Sequence, residues 1–225
     1  VGVRAEEAAV DGQLRTIEEV LVSARRREES LQDVPVAMSA FGSDQIKERG
    51  IETEADLQMN TPGLMVRATN SSNQLSYSLR GQSIDAFSYS APAVLAYVNE
   101  VQAGGVSASS FFDLASIQVL KGPQGTLFGR NATGGAVLYA TQAPESEFGG
   151  YVKVGVGSYS ERTIEGAINV PITDNFFARV AGLTRTRDGW QTNLYNGDKL
   201  AEVDTDNLRL SLLYSNDKLE NSFVG

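Results

Sequence analysis

Neither cysteine nor histidine occurs in this 225-residue chain. The first absence removes thiolate nucleophiles, disulfides and Cys/His zinc sites. The second removes the one side chain that titrates unperturbed near neutrality, and with it the usual activator of a serine nucleophile. Basic residues are outnumbered, 19 Lys and Arg against 28 Asp and Glu, for a formal net charge of −9. Such a chain repels phosphate, and no dense basic cluster offsets the repulsion, so nucleic acid is not an expected partner. No stretch approaches the roughly 18 consecutive apolar residues of a membrane-spanning helix; the longest, around residues 91–98, is about half that. No secretory leader pattern opens the sequence, which starts at Val1, so the N-terminus reads as processed or truncated. Any membrane role therefore has to come from strands, whose signal per segment is weak.

What the chain does have is a glycine-dense block at residues 114–144, LASIQVLKGPQGTLFGRNATGGAVLYATQAP. Two apolar strand-like segments, residues 117–120 and 136–139, flank a loop holding Gly122, Gly125, Gly129, Gly134 and Gly135. Glycine at this density permits positive φ and close packing against a neighbouring wall. A phosphate loop is excluded by spacing: Gly129 precedes Arg130 and Asn131, not Lys and Ser/Thr. Asp204, Asp206 and Asn207 lack the glycine and distal Glu of a calcium loop, so no metal site is expected. The neighbouring acids Glu18/Glu19 and Glu28/Glu29 sit on tail segments, where burial cannot shift a pKa. No catalytic group assembles, and neither an enzyme nor a cofactor is expected.

Along the chain, residues 1–15 are polar and poor in large apolar side chains, which predicts disorder. Residues 16–24, TIEEVLVSA, form an extended candidate followed by the charged tract RRREES. An apolar strand between a loose tail and a charge run is either an edge strand or a segment that adds to another protein's sheet. Residues 31–144 read as α+β with short elements. Strands are expected at 35–41, 62–66, 75–80 and 93–98. Helices are expected at 43–49, with Ser43 as N-cap and Gly50 as the stop, and at 53–59, where Thr53 and Asp56 make a capping box. Loops rich in Ser and Asn separate these elements.

Near Glu145 the pattern changes to period two. Even positions are apolar in four segments: Val152, Val154, Val156; Ile164, Ile168, Val170, Ile172; Ala178, Val180; and Leu208, Leu210, Leu212, Tyr214. Lys153, Glu165, Asn169, Arg179, Arg209 and Ser211 occupy the opposite face. The connections run short, short, then long at residues 188–206. Alternation alone fits a half-buried sheet in water equally well. The polar second face, the aromatics near strand ends (Tyr151, Tyr159, Phe176, Phe177, Trp190) and the single long loop favour a membrane barrel.

Two groups admit two readings each. Phe87, Tyr89, Phe111 and Phe112 lie in Ser-rich loops and serve either as partly buried core or as a ligand platform at the tip of a rigid unit. Arg80 in SLRGQ and Arg130 in FGRN are either solvated rim charges or plug–barrel contacts, buried against an acidic barrel wall.

Residues 31–41 (LQDVPVAMSAF), 61–66 (TPGLMV), 79–82 (LRGQ), 93–98 and 113–144 resemble, in order, the successive motifs of TonB-dependent outer-membrane receptor plugs. Asn99-Glu100 stands where the family uses Asp-Gly, and Leu138-Tyr139-Ala140 where it favours Ile-Asn-Ile. The resemblance implies an α+β plug domain followed by antiparallel β-strands of an incomplete transmembrane β-barrel. It divides the chain into an N-terminal segment (1–30), a plug (31–144) and first barrel strands (145–225). Four strands cannot close, since the smallest membrane barrels have about eight and plugged transporters about 22.

The family further implies energised import of a scarce ligand such as a ferric siderophore, at the Gram-negative outer membrane. Partners would be the extracellular ligand, outer-membrane lipid and the C-terminal domain of TonB. The TonB box would be Ile17, Glu18, Glu19, Val20, Leu21, Val22 and Ser23, pairing as an added strand. Two alternatives stand beside it: a freestanding soluble periplasmic plug-like module, and a sensor, which would need a folded domain ahead of the TonB box.

Overall fold

A computed structural model describes residues 21–22, 29–30, 36–68, 75–83, 91–103, 111–216 and 219–225. At its start β1 (Leu21–Val22) pairs antiparallel with β2 (Glu29–Ser30). The rest of the expected coupling segment (Ile17, Glu18, Glu19, Val20 and Ser23) and residues 1–15 lie outside the described residues. There follow β3 (Met38–Gly42), α1 (Ser43–Glu48), α2 (Glu54–Asn60), β4 (Leu64–Ala68) and β5 (Leu75–Leu79). Then come β6 (Val94–Val98), β7 (Val101–Gln102), β8 (Leu114–Lys121), α3 (Gly125–Phe128) and β9 (Gly135–Thr141).

These elements form the expected α+β unit. A five-stranded sheet runs in the order β3-β8-β9-β6-β7, with β6–β9 its one parallel pair, and β4–β5 forms a separate ribbon. Apolar side chains cover both faces of the central strands. Ile117, Val119, Val137 and Tyr139 join Leu57 and Phe41 in one cluster. Leu95, Tyr97, Leu120 and Ala136 join Phe128 in a second. Burial on both sides explains why these strands read as apolar runs, not as alternations.

The glycine block packs as its composition suggests. A Cβ at Gly135, whose φ is +146°, would lie 2.1 Å from the Leu120 carbonyl oxygen, so no other residue fits between β8 and β9. Within the block, α3 was not anticipated; Phe128 there sits under Tyr97, whose hydroxyl donates to the Phe128 carbonyl at 2.9 Å. The capping box of α2 is present: Asp56 N donates to Thr53 Oγ1 at 3.3 Å and Thr53 N to Asp56 Oδ2 at 2.9 Å. At α1 the cap shifts by one residue. β3 runs directly into the helix, so its last residue, Gly42, takes the cap position without a side-chain bond and Ser43 becomes the first helical residue.

The wall consists of β10 (Gly149–Val156), β11 (Arg162–Thr173), β12 (Phe176–Arg187), β13 (Gln191–Thr192), β14 (Lys199–Leu200), β15 (Val203–Asn216) and β16 (Leu219–Val224). The pair β13–β14 lies inside the long connection, read from sequence as a loop. The other five form an antiparallel sheet ordered β10-β11-β12-β15-β16. Its even-numbered face from β10 to β15 points away from the α+β unit: Val152 is 77% exposed, Val154 69% and Leu208 78%. The odd-numbered face is inverted in character, with Asn169 and Ser211 each 2% exposed. A sheet that buries its polar face and displays its apolar one is built for hydrocarbon on the outside, which decides between the two readings of the alternation. One end carries the turn at residues 174–175. The other carries the 157–161 and 188–202 connections, joined by Asp188 N donating to the Tyr159 carbonyl at 2.8 Å.

The Asn99-Glu100 turn forms the β6–β7 hairpin with φ of 46° and 67°, the two left-handed residues of a type I′ turn. Asn99 tolerates this and also accepts from Thr141 N at 2.9 Å. Glu100 carries the strain without compensation among the described residues. Replacing Glu100→Gly is expected to stabilise the chain by about 1 kcal/mol. Urea unfolding in detergent micelles should show a higher midpoint, and an unchanged or lower one would contradict this account of the turn.

Candidate functional site at the seam between the two units

Phe112 and Asp113 precede β8, and the wall closes on them from four consecutive strands. Asp113 is in the left-handed region at φ 49°, which turns its carboxylate out of the strand direction, and a register irregularity follows at Leu114/Ser116. Arg179 of β12 meets that carboxylate with both arms, Nε to Oδ2 at 2.8 Å and NH2 to Oδ1 at 2.6 Å. Glu165 of β11 accepts from Asp113 N at 3.1 Å. Tyr151 of β10 donates to Glu165 Oε1 at 2.6 Å, with its hydroxyl 3.4 Å from Asp113 Oδ1. Arg209 of β15 donates to the Phe112 carbonyl at 3.0 Å and lays its guanidinium over the Phe112 ring, 4.1 Å from the centroid.

The alternation positions all four wall residues, since each is odd-numbered and faces inward. Ala167 and Ala181, directly opposite each other on β11 and β12, leave room for the Phe112 ring, which packs against both. A second tie lies toward the 174–175 turn. Asn169 Oδ1 accepts from Glu145 N at 2.9 Å, and Asn169 Nδ2 donates to the Glu145 carbonyl at 2.7 Å, fixing the entry into β10. Lys153 of β10 pairs with Glu52 ahead of α2.

The Asp113–Arg179 pair is largely cut off from water, with side chains 2% and 10% exposed. Desolvating both charges offsets much of their attraction, so the pair's net contribution to stability is modest. An uncompensated charge left in its place would be expensive. What the pair specifies is position: a bidentate guanidinium–carboxylate match tolerates little displacement.

Several residues singled out from sequence stand elsewhere. Phe111 and Phe112 are 7% and 5% exposed, Phe111 packing edge-on against Tyr139 with centroids 5.2 Å apart. Packed this way they fit the core reading of these aromatics, although both also line a cavity of about 520 Å³ at the seam. Phe87 and Tyr89 lie outside the described residues. Arg80 (φ 51°) and Arg130 are exposed and make no ion pair among the described residues. Arg80 stands beside Lys121, whose affinity for its proton is lowered, first by burial and then by the Arg80 charge. In the observed seam the expected polarity is reversed, with the base on the wall and the acid on the α+β unit. Sequence carried half of this signal, in the odd-numbered polar residues; Asp113 carried none, because its partner is 66 residues away.

The family model described as "TonB-dependent Receptor Plug Domain" matches residues 30–136. The pesticin receptor of Yersinia pestis is 31% identical over 182 residues, covering 79% of this chain and 27% of that protein. The chain is the plug of a TonB-dependent receptor with the first strands of its barrel. Family members are outer-membrane proteins of Gram-negative bacteria. Among solved structures, the ferric yersiniabactin uptake receptor of Yersinia pestis superposes with a TM-score of 0.75 at 28% identity, over 84% of this chain and 30% of that one. The pyoverdine receptor of Pseudomonas aeruginosa shares the fold at 0.74 and 19% identity, over 91% of this chain and 29% of that one. The seam described above therefore joins the plug to the opening strands of the barrel.

Removing one partner of the buried pair should loosen the plug sharply. Arg179→Met is expected to cost about 3–5 kcal/mol, by leaving Asp113 charged and unpaired. The double replacement Arg179→Met with Asp113→Leu should recover most of that loss. Urea titrations of the three chains in micelles would read the difference, and additive losses in the double variant would contradict the pairing.

Proposed function

We propose that this chain supplies the plug and opening barrel strands of a receptor that imports a scarce ligand across the outer membrane using energy delivered by TonB. The observation that carries this reading is the inverted wall: its apolar face suits lipid and its polar face grips the plug. A soluble plug-like module in the periplasm would expose that apolar face to water, an aggregation hazard that the freestanding alternative does not resolve. Transport, not catalysis, is the activity proposed.

The relatives' names point to a ferric siderophore as the ligand class, iron arriving inside its chelator rather than on protein ligands. Contact with it is assigned to the Ser-rich loops of the plug, with Phe87 and Tyr89 as aromatic candidates, and to extracellular loops of the barrel. Arg80 and Arg130, exposed on the plug, would seat against acidic positions on further barrel strands. Coupling is assigned to Ile17, Glu18, Glu19, Val20, Leu21, Val22 and Ser23, a segment that would join TonB's C-terminal domain as an added strand. Backbone hydrogen bonds would carry that affinity, which lets pulling force pass along the chain.

Proline removes a ladder donor, so Val20→Pro in the receptor expressed in cells should abolish energised uptake of a ferric siderophore while leaving its binding at the cell surface intact. Radioactive iron accumulation and surface binding, measured side by side, separate the two. Undiminished accumulation would exclude residues 16–24 as the coupling segment.

A further inference from the structure

At the end of the wall bearing the 157–161 and 188–202 connections, α2 faces the barrel across a polar cleft of about 460 Å³. Glu54, the first residue of α2, is 4% exposed, and its Oε1 has no hydrogen-bond partner among the described residues. Tyr77 and Tyr139 lie near it, their hydroxyls 3.1 Å apart in the plug core. Across the cleft from the start of α2 stands Arg185 of β12, whose charge acts on Glu54 and which is held on the wall by Glu161 through Nε at 2.8 Å and NH2 at 2.5 Å. Of the other charges around the cleft, Lys153 is on Glu52 and Asp56 caps α2 through Thr53, while Arg187 lines the cleft beside Arg185 with its Nε unpartnered among the described residues.

A carboxylate at that depth with one oxygen unpartnered is costly when ionised. Burial pushes the Glu54 carboxyl up to about 7, opposed by its own backbone amide and by Arg185 and reinforced by Asp56. Arg185 thus stands within the influence of two carboxylates while bonded to one.

We propose that Glu54 and Arg185 are the two halves of a proton-dependent latch between the plug and the barrel. With Glu54 neutral, its side chain stays in the core near Tyr77 and Tyr139, and Arg185 remains on Glu161. When Glu54 releases its proton to the medium, the carboxylate leaves the apolar surroundings for Arg185, which then bridges Glu161 and Glu54. The start of α2 is drawn toward β12. In barrels of this kind the longer connections lie on the outer side, so the latch would report the pH of the external medium. It rests only on the plug–barrel seam, not on the import reading.

The sign of the accompanying stability change follows from the direction of the shift. Glu54 binds its proton more tightly in the folded chain, so its contribution to stability is complete below about 4.5 and is lost as pH rises through about 7.

Because the chain contains no cysteine, spin labels on Met59→Cys and Ser158→Cys, both exposed, can report the distance across the cleft in detergent micelles. Between about pH 5.5 and about pH 8.5 the distance should shorten, with a midpoint near neutrality. The change should vanish in Glu54→Gln. Arg185→Gln, which leaves the plug core untouched, should also abolish the shortening while raising the pH at which the Glu54 acid band disappears from infrared difference spectra. A distance indifferent to pH, or a pH response that survives either substitution, would overturn the latch. Neither outcome bears on uptake, so the import reading would stand or fall separately.

Discussion

The inverted polarity of the wall sheet is the constraint on which the rest of the structure depends. Between β10 and β15 the face that packs on the plug carries Lys153, Glu165, Asn169, Arg179 and Arg209, while the free face carries Val, Ile and Leu. Polar groups on that face find partners opposite: Asp113 and the Phe112 carbonyl on the plug take the buried Arg179 and the partly buried Arg209, Glu52 takes the half-exposed Lys153, and the backbone of Glu145 takes Asn169. The wall is therefore not a container into which a finished domain is dropped. Much of its inner face is paired with the plug, and the plug's Asp113 is paired with the wall.

That mutual dependence has a geometric consequence. One side chain from each of four adjacent strands converges on two consecutive plug residues, so displacing the plug disturbs all four contacts together. The left-handed backbone at Asp113 fits the same picture, since strain of this kind persists where surrounding contacts over-determine it. Such a junction holds the plug in one position through several directional contacts at once.

Much of this was legible in the sequence where local rules decide. Period-two alternation gave four of the five strands of the main wall sheet, their facing and the polar inner surface, because a strand's side-chain period is fixed by its backbone; β16 was not anticipated. The Thr53/Asp56 capping box and the close packing at Gly134-Gly135 followed from local chemistry in the same way. What failed were features set by tertiary partners. Phe112 reads as a loop aromatic until Ala167, Ala181 and Arg209 surround it. Asp113 and Glu54 are ordinary surface acids on paper, and their burial depends on segments far away in the chain. The Asn99-Glu100 turn is left-handed at both residues, and Asn99 is held there by bonds to Thr141 on β9.

The central claim is that the even-numbered face of β10, β11, β12 and β15 meets lipid and the odd-numbered face meets the plug. Single cysteines at Val152, Val154, Ile168 and Leu210, and at Lys153 and Ser211, can each carry a fluorophore, because no native thiol competes. In outer membranes or proteoliposomes containing brominated acyl chains, the first four labels should be quenched and the last two spared. Unquenched, water-accessible labels at the four apolar positions would contradict a membrane wall.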